Sequence, residues 1–427
     1  MGYNVARINV KNRQKKGGAL MILRKEYLAL LHQWQHEQVI KVITGIRRCG
    51  KSTLLKQFRD ELLQTGVTQE QIVFLNFEDL ALEELLDYKK LYAYIKERLQ
   101  QGRMTYIFLD EIQKVQAFEK VVDSLYIQEN VDIYITGSNA YLLSGELATL
   151  LSGRYVEINM LPLSFAEFCA ARGGEDKDKL FLAYMQAGSF PYVATLQQTQ
   201  EKISMYLEGI YNTIIVKDIE DRQLRQELSG SGRKISDLLL LKNIAKFLAS
   251  SVGSPITLKN IANYIVSSGR KVSPATIGDY VKALVEPYVF YPVERYDVVG
   301  KQLLKNNEKY YIVDLGLRRH LLPRSNYDLG FSLENIIYLE LRRRGYLVNV
   351  GKVDKLEVDF VARKDNSLHY FQVTASMLEQ ATFEREMASL RSIRDNYPKT
   401  VLTLDRFTLG DYDGIQVVNA LDWLLNL

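Results

Sequence analysis

The sequence predicts an α/β chain: a three-layer domain on a parallel sheet, then a helical domain, then a second, smaller α/β domain. Three observations carry this. An apolar, β-branched run at 39–43 enters a glycine loop and is followed by helical spacing. Further apolar strands, "FLNF", "TYIFLD" and "VDIYIT", alternate with helical patterns, the signature of a parallel sheet. Beyond about residue 200 the pattern becomes helical, and strands alternate with helices again only near the C-terminus. The expected boundaries are 1–20, 21–200, 201–325 and 326–427.

A length of 427 residues suits two or three domains. With 47% hydrophobic and 25% charged residues the chain has a globular composition, which excludes a disordered or fibrous class. Fifty-five basic against 51 acidic residues leave +4, which permits a nucleic-acid partner without requiring one. Cys49 and Cys169 are too few and too far apart for a disulfide framework or a zinc site, so a reducing, cytoplasmic setting is expected. No uncharged apolar run is long enough to span a membrane. Residues 1–20 hold five basic and no acidic residues, without a signal peptide's apolar core. They read as a flexible extension before a start at Met21, or as a basic nucleic-acid arm.

The glycine loop is "GIRRCGKS", residues 45–52, matching G-x-x-x-x-G-K-[ST] between a strand and a helix. Gly45 and Gly50 let the backbone turn closely around phosphates. Successive N–H groups and the helix N-terminus then face the anion. Lys51 should reach the β- and γ-phosphates of ATP, Ser52 should hold Mg2+, and Thr53 completes the binding set. Arg47 and Arg48 read as solvated loop residues, and Cys49 as a small packing residue rather than a reactive thiol.

The strand "TYIFLD" ends in Asp110 and Glu111. Asp110 suits a metal-water ligand, and Glu111 the residue that polarises attacking water. "FLNFED" brings Glu78 and Asp79 to another strand end, with a weaker claim. Arg154, in "LSGRYVEIN", is a candidate arginine finger or cis sensor, since developing phosphoryl charge needs a cation; a surface arginine is the other reading. His32 and His36 have i, i+4 spacing but no third ligand, and read as a solvated helix face.

The motifs "VITGIRRCGKSTLL", "YIFLDEIQKV", "TGSNAYLLS" and "LSGRYVEINMLPLSFAEF" resemble AAA-superfamily ATPases of bacteria and archaea that carry a C-terminal domain of unknown function. The resemblance continues through "TIIVKDIEDR", "KYYIVDLGLRRHLL" and "SLENIIYLELRRRGYLV", covering nearly all of 21–427. It implies ATP and Mg2+ as ligands. It also implies that Ser138, at the end of the third strand, senses the γ-phosphate; a capping residue in a turn is the alternative.

In the middle region, "KISMYLEGIYNTIIVKDIEDRQLRQEL" and "ISDLLLLKNIAKFLASSVG" read as helices. "TLKNIANYIVSSG" is a helix opened by Thr257, and "SPATIGDYVKALVE" one opened by Ser273 with Pro274 at its first position. A strand, "YVFYPVERYD", follows. Helix, turn, helix, strand is the order of a winged helix, whose second helix could enter a DNA major groove. Its face, with Thr276, Asp279 and Lys282, is not basic, although Arg270 and Lys271 precede it. Packing or protein contact is the competing use.

The last hundred residues alternate in a way that resembles the restriction-endonuclease-like fold. Carried over, Glu334 and Asp359 match two acidic metal ligands. Gln372 stands at the third position, and Thr374 replaces a lysine. A glutamine oxygen still binds a hard cation, but the missing lysine argues for a binding or regulatory scaffold rather than a nuclease. The expected function is Mg2+-dependent ATP binding with slow hydrolysis that controls the later domains. The alternatives are an ATP-gated DNA-binding protein or nuclease, and a signalling scaffold with a protein partner.

Overall fold

The computed structural model describes residues 13–16, 19–137, 151, 153–174, 176–196, 200–214, 237–322 and 328–427. The described chain forms two compact units, Lys11–Pro162 with Glu286–Tyr288, and Leu163–Val285 with Val289–Leu427.

In the first unit, strands β1 (Arg13–Lys16) and β2 (Ala19–Ile22) form an antiparallel hairpin where a flexible extension was expected. Helix α1 (Lys25–Gln33) precedes β3 (Ile40–Thr44), every residue of which is buried. The glycine loop leads into α2 (Lys51–Gln64). Then come β4 (Ile72–Asn76), α3 (Tyr88–Lys96), β5 (Thr105–Asp110), α4 (Phe118–Tyr126), β6 (Val131–Thr136) and β7 (Tyr155–Asn159). The five strands β3 to β7 are all parallel, in the order β4-β5-β6-β3-β7.

The two-residue period of the strands explains the three layers. On β5, Ile107 and Leu109 join the core formed with α3 and α4 through Leu91, Ile95, Val121 and Leu125. The alternate residue Phe108 faces the other way, stacked on Tyr134 at 5.0 Å, with Phe58 of α2 beside both rings. Lys41 interrupts the apolar pattern of β3. It is fully buried and paired with Asp132 at 2.6 Å, so the charge is satisfied inside the sheet.

The second unit starts with α5 (Phe165–Arg172), α6 (Lys177–Ala187), α7 (Pro191–Thr195) and α8 (Gln200–Asn212). The expected boundary at 200/201 therefore differs from the observed division at 162/163. The reason is a buried carboxylate: Asp314 accepts from the Ser189 amide at 2.5 Å and its hydroxyl at 2.7 Å, tying the α6–α7 turn to the later chain. The predicted helix through 200–235 is seen as α8; residues 215–236 lie outside the described residues.

Next come α9 (Leu238–Ser250), β8 (Pro255–Ile256), α10 (Leu258–Ser267), α11 (Pro274–Val285), β9 (Phe290–Asp297) and β10 (Gln302–Ile312). Thr257 and Ser273 accept backbone amides at 3.1 Å, opening α10 and α11 as their sequences suggest. Helices α12 (Leu315–Leu321) and α13 (Leu329–Arg343) lead into β11 (Leu347–Val353), β12 (Leu356–Lys364) and β13 (Ser367–Thr374). The chain ends with α14 (Gln380–Arg391), β14 (Lys399–Thr403), β15 (Gly410–Tyr412), β16 (Ile415–Asn419) and α15 (Ala420–Leu425).

One nine-stranded sheet runs β15-β16-β14-β13-β12-β11-β9-β10-β8. Strand β9 pairs in parallel with β11, Val350 opposite Arg295, so the sheet crosses the expected 325/326 boundary without a break.

Candidate nucleotide site

The phosphate loop is shaped by two glycines in backbone regions that side chains rarely occupy. Gly45 sits at φ 135°, and a Cβ there would come within 2.1 Å of the Met160 carbonyl oxygen. Gly50, at φ 109°, caps α2 and leaves its first amides open at the carboxyl end of β3. Lys51 is buried, and its Nζ donates to the carbonyls of Gly45 (2.9 Å) and Ile46 (3.3 Å). The ammonium thus spans the loop it serves. Cys49 is fully buried, as a packing residue should be.

Strands β5 and β6 end beside this loop. Ser52 Oγ donates to Asp110 Oδ1 at 3.0 Å, and Thr136 Oγ1 donates to the same oxygen at 2.6 Å. Thr136 also accepts the Glu111 amide at 3.0 Å. Glu111 is buried at φ 56°, and its carboxylate accepts from Gln113 at 2.5 Å. A non-glycine residue in that region stores strain of the kind found at functional sites. Asp110 Oδ2 is buried without a hydrogen-bond partner. Burial pushes the Asp110 carboxyl above its ordinary range. Hydrogen bonds from Thr136 and Ser52 oppose the rise, Glu111 adds to it and Lys51 counters it.

These residues fit the nucleotide and Mg2+ that the motif implies. A hydroxyl and a carboxylate, both hard oxygen donors, lie together at the foot of the loop, and the orphaned Oδ2 supplies an unused acceptor.

The other expected residues are distributed differently. Thr53 is exposed on the first turn of α2. Ser138 lies outside the described residues. Arg154 precedes Tyr155, which pairs with Ile40 at the start of β3, so it stands at the opposite end of the sheet from the loop. The four-residue offset to Thr44 amounts to about 13 Å along the strand. The guanidinium lies over the Tyr126 ring and 4.0 Å from Asp123. The cis role considered for Arg154 is therefore corrected: it does not reach the phosphate loop of its own chain. Glu78 and Asp79 are exposed, Asp79 capping the following turn. His32 meets Glu61 at 2.9 Å and His36 meets Tyr106 at 2.7 Å, so the two rings do not converge.

In the second unit, Glu334 on α13 and Asp359 on β12 do converge, but around Lys309 of β10. Its Nζ lies 3.0 Å from Glu334, 2.8 Å from Glu357 and 4.0 Å from Asp359. Tyr311 also donates to Glu334 at 2.6 Å. Gln372 accepts from the Asp359 amide at 3.3 Å and donates to Glu386 at 2.9 Å. Thr374 donates to the Ser376 carbonyl at 3.0 Å. Burial drives Asp359 well above the carboxylate range, and Glu334 upward too, with Lys309 opposing both shifts. Among the described residues, no three His, Cys, Asp or Glu side chains are placed to hold a metal ion.

Sequence reasoning missed Thr136, Lys309, Glu357 and Glu386. Thr136 had a weak signal, as the last residue of an apolar strand before a glycine. Lys309 had none, since it lies 50 positions from Asp359 along the chain.

Comparison with known proteins places an AAA domain at residues 37–169 and a domain of unknown function, DUF8612, at 178–328. A Haemophilus influenzae protein described as uncharacterized is 41% identical over 410 residues, 95% of this chain and 99% of that protein. Methanocaldococcus jannaschii MJ1544, also described as uncharacterized, is 30% identical over 83% of this chain and 79% of its own length. Among solved structures, the Walker-type ATPase PABY2304 of Pyrococcus abyssi is similar at 15% identity and a TM-score of 0.45, over 74% of this chain and 99% of that one.

Proposed function

The chain belongs to one family with its Haemophilus and Methanocaldococcus relatives and itself matches an AAA domain, and on that premise we propose that it binds ATP with Mg2+ and hydrolyses it slowly, its nucleotide state governing the second unit. The observation that carries this reading is the meeting of Lys51, Ser52, Asp110 and Glu111 at the carboxyl ends of β3 and β5.

Lys51 would exchange its two loop carbonyls for phosphate oxygens of bound ATP. Ser52 and Asp110 would hold Mg2+, which when bound would neutralise charge on the phosphates. Glu111, strapped by Gln113 and anchored through Thr136, takes the position that orients the attacking water and accepts its proton. Arg154 supplies no cation to its own site, which accords with slow turnover.

Equilibrium ATP binding tests this proposal. The protein should bind ATP with Mg2+, and Lys51→Ala should abolish binding or weaken it by two orders of magnitude or more. Equal binding by both proteins would sink the reading.

A second reading concerns the governed unit. The order α9–β8–α10–α11–β9–β10, with neighbouring strands β8-β10-β9, supports a winged helix with α11 as its recognition helix. Arg270, one of the two cations expected beside α11, is ion-paired with Asp237. That favours a protein contact over DNA. Turnover measured with and without duplex DNA separates the two, since stimulation by DNA would reverse the preference. For the C-terminal region a scaffold is favoured over a nuclease, because Lys309 neutralises the carboxylates that a cation would need.

A further inference from the structure

Arg24 lies just before α1, outside every nucleotide-binding motif, yet it is only 2% exposed. Its Nη1 donates to the Cys49 carbonyl at 2.9 Å. Its Nη2 donates to the Leu161 carbonyl at 2.7 Å and to that of Pro162 at 3.3 Å. Cys49 immediately precedes Gly50 and Lys51 in the phosphate loop. Pro162 is the last residue of this unit before the chain continues into the other. One planar, permanently charged fork therefore holds both the loop and the exit from the domain.

Neighbouring contacts make this a built arrangement. The Arg24 amide donates to Gln57 Oε1 at 3.4 Å, and Gln57 Nε2 donates to the Ile22 carbonyl at 2.7 Å, fixing the segment against α2. Tyr27 OH accepts the Leu161 amide at 2.9 Å, while the Met160 amide donates to the Thr44 carbonyl at 2.8 Å. The exit segment thus lies directly behind the phosphate loop.

Peptide geometry gives this contact a consequence. The Cys49–Gly50 peptide is planar and trans, so its N–H points opposite to its C=O. Drawing the Cys49 carbonyl toward Arg24 turns the Gly50 N–H away from Arg24. Any shift of that peptide on phosphate binding alters the hydrogen bonds of the same guanidinium to Leu161 and Pro162.

We propose that Arg24 is a positioning residue that presents the Gly50 amide to the nucleotide's phosphates and couples the phosphate loop to the 160–162 exit segment. This rests on the ATP-binding reading above. Lysine is the informative replacement, since it keeps the charge but cannot fork across three carbonyls.

The test combines equilibrium binding of ATP with Mg2+ and amide hydrogen exchange on the full chain. In the wild type, ATP should slow exchange at Gly50, Met160, Leu161 and Leu163. Arg24→Lys should bind ATP about tenfold more weakly, the scale of one lost charge-assisted hydrogen bond. It should also lose the nucleotide response at 160–163 while its ligand-free exchange elsewhere stays unchanged, a pattern that a merely structural role would not give. If Arg24→Lys fails to fold, the wild-type exchange decides alone. Wild-type ATP binding without any exchange response at 160–163 overturns the proposal. So does a wild-type affinity and response in Arg24→Lys. If the wild type binds no ATP at all, the ATP-binding reading falls first and this proposal with it.

Discussion

At the residue scale, the candidate nucleotide site holds one carboxylate whose burial is unfavourable until a cation arrives, that of Asp110. Its folded carboxyl titrates above the unfolded value of 3.8, because burial outweighs its two hydroxyl donors. The native state therefore holds that proton more tightly than the unfolded chain. As pH rises from about 3.8 through the higher folded value, ligand-free stability is lost. Asp110→Asn should remove that slope and stabilise the ligand-free protein at neutral pH by about 1 kcal/mol, while abolishing Mg2+-dependent ATP binding. Thermal melts across pH 3–8, with and without ATP and Mg2+, check both halves, and an unchanged slope in Asp110→Asn would contradict the account. Thr136→Ala should cut turnover by about an order of magnitude by loosening Asp110 and the Glu111 amide together, with Thr136→Ser restoring it. The motif residues Lys51, Ser52, Asp110 and Glu111 were legible because their chemistry is written in contiguous stretches. Thr136 and Arg24 were not, since each acts through a partner that only the folded sheet brings near.

At the scale of elements, the parallel strands decide which candidates can cooperate. Lys51, Asp110 and Thr136 follow or end strands β3, β5 and β6, and so meet at the carboxyl ends of the central strands. Arg154 lies just before β7, at the opposite end of the strands, although its position in the sequence looked equally suitable. Strand order and direction, which a single sequence displays poorly, make the difference. In the second sheet, β10 delivers Lys309 to carboxylates of α13 and β12. Lys309→Met should leave buried charge uncompensated and cost about 3–5 kcal/mol. Asp359 and Glu334 already titrate high in the folded state, so the loss should deepen as pH rises and shrink in acid. Denaturant midpoints of the variant at pH 5 and pH 8 measure this, and an equal loss at both would show that the charge cluster is not its cause.

For the whole molecule, the sequence suggested three domains after the N-terminal segment, whereas the described residues divide into two units. The alternation of strands and helices agrees with the observed mixed α/β class and its parallel sheet. What it could not reveal was the parallel pairing of β9 with β11, which joins the helical region and the C-terminal region in one sheet. Residues 326–427 expressed alone should therefore expose the unpaired edge of β11 and aggregate, whereas 163–427 should remain soluble and melt in one cooperative transition. A soluble, folded 326–427 fragment would contradict this continuity. The AAA-domain match at residues 37–169 has a local basis, since the glycine loop is one contiguous stretch. Any partner is a property of surfaces, and the strand order β8-β10-β9 and the ion pair of Arg270 with Asp237 are the observations on which the proposed reading of that region rests.

The central claim, ATP hydrolysis at the site formed by Lys51, Ser52, Asp110 and Glu111, is tested most directly by single-turnover hydrolysis of ATP with Mg2+ in the wild type and in Glu111→Gln. The wild type should bind and slowly hydrolyse ATP, and Glu111→Gln should bind it with similar affinity yet turn it over at least about a hundredfold more slowly. Hydrolysis by Glu111→Gln at the wild-type rate, or no ATP binding by either protein, would contradict the account.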